Sequence, residues 1–147
     1  MVKIMLKKAL TAVSAGIFSF ILISSASAEQ KYIVTFQNAT SKTTVMKRIW
    51  VQCMHDAGPE SIDVSNTPKP FVIQDSNFMV CADGSKAVRW RDQNNNNIIE
   101  FKHWKYNKKW LTAVTGAVNA TCDGKECTDP HGLEGVQDDA EIKITVE

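Results

Sequence analysis

Most residues able to recognise a ligand fall within one stretch, residues 86–110. Trp90, Trp104, Tyr106 and Trp110 are interleaved there with Arg89, Arg91, Lys102, Lys105, Lys108 and Lys109. An indole or phenol ring offers an apolar body and a polar edge. Beside cations, such rings can stack on a sugar, sit at a lipid interface or hold an anionic polymer. Trp90 and Trp110 suit a core. Trp104 and Tyr106, with Lys102, Lys105, Lys108 and Lys109, are therefore the residues expected to bind a glycan or a lipid headgroup. If this stretch is extended, Lys102 and Trp104 share a face.

Other chemistry is sparse. His55, His103 and His131 lie in no motif with a serine or cysteine nucleophile, so a non-enzymatic protein is expected. An enzyme of unknown reaction stays as an alternative, because a catalytic site can be assembled in space from distant residues. His103, beside Phe101 on a strand, reads as a structural histidine. His131, near Asp129 and Pro130 in a loop, reads as a ligand-contacting one. Residues 92–97 followed by Glu100 do not make an EF-hand: the sixth-position glycine is missing and the glutamate comes too early. Asp129, Glu134, Asp138, Asp139 and Glu141 meet no metal-spacing rule, and neither metal nor cofactor is expected.

The first residues have the pattern of a secretory signal peptide. Lys3, Lys7 and Lys8 precede an apolar run over residues 9–23, and Ser25-Ala26-Ser27-Ala28 supplies a small-x-small cleavage pattern. Cleavage after Ala28 would leave one domain, residues 29–147, with 14 basic against 16 acidic residues and a net charge of −2. A secreted or periplasmic protein follows, with no transmembrane segment after signal removal. The short, lysine-rich signal looks bacterial, so the sequons at Asn38 and Asn119 are expected to be bare. An acidic, exported chain is a poor partner for nucleic acid. The charge is polarised along the chain: residues 86–109 carry seven basic against two acidic side chains, and residues 123–147 carry eight acidic against two basic ones. Such segments can pair with each other across a sheet.

Export also places Cys53, Cys81, Cys122 and Cys127 where disulfides persist. Cys122 and Cys127 enclose four residues including Gly124, which favours local pairing and leaves Cys53 for Cys81. The Cys122 to Cys127 loop is similar in size to the cysteine-closed loop with which periplasmic inhibitors of vertebrate-type lysozyme enter the enzyme's cleft. The likeness covers six residues, and the proline and histidine of that family's loop are absent between these cysteines. It implies a mechanism for the alternative function: a protein-directed module, either an inhibitor of a secreted enzyme or a virulence-type effector, presenting Asp123, Lys125 and Glu126, with His131 nearby.

The elements that must position these groups read as strands. Residues 86–91 and 98–104 alternate apolar and charged side chains around an Asn-rich turn. Tyr32, Val34 and Phe36 define one face of a first strand, and residues 140–147 alternate strictly. Residues 43–53 are expected to turn Val45, Ile49, Val51 and Cys53 one way and Met46, Arg48 and Trp50 the other. Residues 55–69 form a long connection with a short strand at residues 62–64. Residues 70–74 and 78–82 have hairpin spacing. Residues 123–135 read as loop. Together these predict an all-β chain, a small antiparallel β-sandwich or barrel stabilised by two disulfides.

Overall fold

The computed structural model describes residues 29–129 and 132–147; the signal segment and His131 lie outside the described residues. The chain is a two-sheet β-sandwich with disulfides Cys53–Cys81 and Cys122–Cys127. In chain order the strands are β1 (Lys31–Asn38), β2 (Thr44–Gln52), β3 (Met54–Asp56), β4 (Ser61–Val64), β5 (Phe71–Asp75), β6 (Lys86–Asp92), β7 (Ile98–Tyr106), β8 (Lys109–Thr115), β9 (Asn119–Cys122), β10 (Lys125–Glu126), β11 (Leu133–Glu134) and β12 (Ala140–Val146). One sheet runs β10-β9-β12-β1-β5-β3 and the other β11-β8-β7-β6-β2-β4. We call them sheet A and sheet B.

Alternation decides which side chains meet between the sheets. Sheet A contributes Tyr32, Val34, Phe36, Ile73, Ile142 and Ile144, and sheet B contributes Met46, Val88, Trp90, Ile99, Phe101 and Val114, all buried. Each such side chain is worth about 1.5 to 3 kcal/mol relative to an exposed one. The Trp90 ring stands edge-on to Phe36 at 5.3 Å and to Phe71 at 6.2 Å. Strands with one wet face and one dry face need only every second residue to be apolar, which is the pattern of β6, β7 and β12.

Four features depart from the sequence expectations. Strand β1 pairs with β12 in parallel, Tyr32 opposite Ala140 through Asn38 opposite Val146, whereas the strand pairs flanking them are antiparallel. Residues 78–82 are not the second arm of a hairpin. Met79–Cys81 is a 3-10 turn whose apolar side chains face outward. In β2 the register against β6 shifts between Arg48 and Trp50. That bulge adds one residue and reverses the later alternation, so Met46 is buried while Trp50 opposes Arg89 on the outer face. Finally, residues 123–135 are not all loop: β10 closes a hairpin on β9 and β11 adds an edge to β8.

Candidate functional site: an aromatic and basic end of the sandwich

The outer face of sheet B is built by register. Lys102, Trp104 and Tyr106 project from alternate positions of β7, and Trp104 and Tyr106 are paired with Leu111 and Lys109 of β8. The Lys102 ammonium lies 5.2 Å from the Trp104 ring centre. Trp104 is half-buried because Gly132 sits against it. A Cβ on Gly132 would lie 2.7 Å from the indole, so the absence of a side chain there is what lets the ring lie down on the sheet. Tyr106 is 62% exposed. Further along the same face, the Arg89 guanidinium covers the Trp50 ring at 4.3 Å and pairs with Glu100. Trp50 is an aromatic member of this face that the sequence alternation misplaced, and only the bulge in β2 shows it.

The turn between β7 and β8 has two residues, Asn107 and Lys108, with φ of 48° and 65°. That two-residue left-handed turn matches the twist of a hairpin, and it holds the Lys108 side chain exposed at the tip. Lys109 binds Glu134 at 2.9 Å, a pairing of the basic stretch with the acidic one. Lys105 departs from the expected group. Its position on β7 alternates with Trp104 and Tyr106, so it points to the inner side, where it holds Asp83 at 2.6 Å and approaches Trp110 at 5.9 Å. Hydrogen bonding to Lys105 keeps the Asp83 carboxyl below its usual range. The structure thus brings Lys102, Trp104, Tyr106 and Lys109 onto one face, with Lys108 at its end and Lys105 around the corner.

Beneath this end lies a buried polar cluster. The His103 ring is stacked on Trp110 at 4.7 Å, and its Nδ1 is 2.8 Å from the Thr112 hydroxyl. Burial, with a smaller contribution from the Lys86 charge, lowers the His103 pKa to about 4. Lys86 is itself buried. Its Nζ donates to the carbonyls of Cys81 at 2.6 Å and Gly84 at 3.1 Å and lies 4.3 Å from the Trp110 ring centre. Desolvation lowers its pKa and raises that of buried Asp75, whose Oδ1 accepts the Gln30 amide at 2.8 Å. A cavity of about 60 Å³ among Gln30, Asp75, His103 and Trp110 is too small for an organic substrate.

The Cys122 to Cys127 segment is a hairpin on the edge of sheet A. Its turn is Asp123-Gly124, with φ of 49° and 75°. Asp123, Lys125 and Glu126 are exposed, and the Asp123 carboxylate accepts the Glu141 amide at 2.8 Å. Both cysteines are buried. A concavity of about 540 Å³ lies at the opposite end of the sandwich, lined by Thr40, Lys42, Asn94 and Glu147 among others. It has no ring to stack a ligand. Among the described residues no group of histidine, cysteine or carboxylate side chains is arranged to hold a metal, and no helix is long and apolar enough to cross a membrane.

No protein-family model matches the chain, and no curated protein matches it. Among solved structures, the crystal structure of the lipid binding protein Nakanori is similar over 79% of this chain and 70% of that one, with a TM-score of 0.43 and 11% identity. That degree of likeness decides nothing about function.

Proposed function

We propose that this is an exported, non-enzymatic binding protein whose outer sheet B face engages a polar headgroup, that of a glycan or of a lipid. The observation that supports it is the placement of Lys102, Trp104, Tyr106 and Lys109 side by side on β7 and β8, with Tyr106 the more exposed of the two rings. A ring fixed by strand pairing loses little conformational freedom on binding, and a flanking ammonium orients hydroxyl or phosphate oxygens. Disulfides suit an oxidising compartment.

The test is tryptophan fluorescence of the oxidised protein titrated with a glycan panel and with phospholipid vesicles. Trp104→Ala with Tyr106→Ala should weaken binding by about tenfold or more, as expected on losing central aromatic contacts, without changing the unfolding midpoint. Binding that is unchanged in this double variant would remove the site from consideration. A protein-directed role for Asp123, Lys125, Glu126 and His131 is the second reading, supported by the exposure of the first three on a disulfide-closed hairpin. It predicts that capture of a secreted protein depends on Lys125 and Glu126, and not on Trp104.

A further inference from the structure

Phe78, Met79 and Val80 are consecutive, large and apolar, and they are 71%, 76% and 89% exposed. A flexible loop could fold such residues back. Here the surrounding bonds hold them out. Cys81 is tied to Cys53, the Cys81 and Ala82 amides donate to the carbonyls of Phe78 and Met79, and the Ser76 amide donates to the Cys53 carbonyl at 2.8 Å. The Lys86 ammonium clamps the Cys81 and Gly84 carbonyls from below. Gly84 has no room for a side chain, since a Cβ there would lie 2.8 Å from the Val80 carbonyl oxygen. Met79 has φ of 52°, an uncommon and costly conformation for a residue with a side chain. The turn is therefore a fixed apolar knob.

We infer that this knob is a membrane-insertion element that seats the protein on bilayers of anionic phospholipid. Three observations support this. First, the knob shares its end of the sandwich with the β7–β8 turn: Asp83, three residues past Val80, is bound by Lys105, which precedes Tyr106 and the turn residue Lys108 on the same hairpin. An apolar tip on the same end of a sandwich as a tyrosine and long-stemmed lysines is the pattern of an interfacial anchor, apolar atoms in the acyl region and cations at phosphate level. Second, among the described residues Lys102, Lys105, Lys108 and Lys109 have Asp83 and Glu134 as their ion-pair partners, which leaves a positive surplus for anionic headgroups. Third, three side chains are far too little surface for a stable protein interface, which needs about 800 Å² per partner. The inserted residues Phe78, Met79 and Val80 are no part of the headgroup reading, whereas Tyr106 and the lysines are common to both, so substituting the knob alone separates the two.

The experiment is co-sedimentation of the oxidised protein with vesicles of phosphatidylcholine, with and without phosphatidylglycerol. The protein should sediment with the anionic vesicles, and Phe78→Ser/Met79→Ser/Val80→Ser should weaken this by about tenfold or more while near-ultraviolet circular dichroism stays native. In a Val80→Trp variant, acyl-chain bromination of the vesicles should quench the added tryptophan. Absence of sedimentation, equal binding to both vesicle types, or a triple variant that binds as well as wild type would each overturn the inference. So would a bound Val80→Trp protein that bromination does not quench. Loss of binding in the Trp104→Ala/Tyr106→Ala variant with the knob variant unaffected would overturn the knob and leave the headgroup face. The reverse would support the knob and overturn the lipid reading of that face, leaving its glycan reading to the glycan panel. Concentration-dependent dimerisation that the serine variant abolishes, without vesicle binding, would assign the knob to a second copy instead.

Discussion

His103 carries a proton-binding site into the dry part of the sandwich, between Tyr32 at 5.7 Å and Trp110 at 4.7 Å. Its pKa falls from 6.5 to about 4 on folding, so between those values the unfolded chain binds more protons than the native one. Native stability contributed by neutral His103 is complete above the unfolded value and is lost as pH falls towards 4. Its full size is on the order of 3 kcal/mol. Asp75 acts in the opposite sense: burial raises its pKa, so its contribution declines as pH rises through the native value. Urea unfolding at pH 7 and pH 5 should show a loss of stability on acidification in the wild type and a flatter dependence in His103→Gln. Parallel pH profiles for the two proteins would show that His103 does not carry the titration. Buried Lys86 is tolerated for a related reason, because two carbonyls and the Trp110 face replace its water.

At the scale of elements, the β7–β8 turn combines a structural demand with a functional one. A two-residue hairpin turn of this hand favours glycine at its second position, yet Lys108 occupies it at φ 65°. Lys108→Gly should therefore stabilise the fold by about 0.5 kcal/mol, raising the urea midpoint, while weakening attachment to anionic vesicles. A destabilised variant would mean that the lysine stem makes packing contacts that outweigh its backbone cost. The long strands were legible in the sequence because their alternation extends over many residues: β1, β6, β7 and β12 all show it, and Lys102, Trp104 and Tyr106 share the face that alternation gives them. What the sequence hid has local physical causes. Strands β3, β10 and β11 have two or three residues, too few for a period to show. Trp50 was hidden by one extra residue in β2. Residues 78–82 have the spacing of a hairpin arm, and nothing in a five-residue apolar run distinguishes a dry strand from an exposed knob. The parallel partnership of β1 and β12 joins the two ends of the domain, which local periodicity does not encode.

The whole molecule depends on the chain changing sheets at Cys53. Strand β2 belongs to sheet B and β3 to sheet A, and Cys53 between them has φ of 50°. A non-glycine residue in that conformation must be held there by its surroundings, and the bridge to Cys81 pins it. The two disulfides close loops of very different length, with sequence separations of 28 and 5. By the chain-entropy argument the longer loop removes more freedom from the unfolded chain, on the order of 3 kcal/mol against 2. Cys53→Ala/Cys81→Ala should therefore lower the urea midpoint more than Cys122→Ala/Cys127→Ala, and it should also release the apolar knob. The two effects separate experimentally. If the knob works because it is held out, the first variant loses vesicle binding at urea concentrations where it is still folded, and the second keeps it. Cys122 and Cys127 are buried in sheet A, so removing them also takes packed atoms from the core. A larger loss of stability on that side would show that packing outweighs loop closure in this fold, and a knob that still binds without its tether would show that the Lys86 clamp alone is enough to hold it.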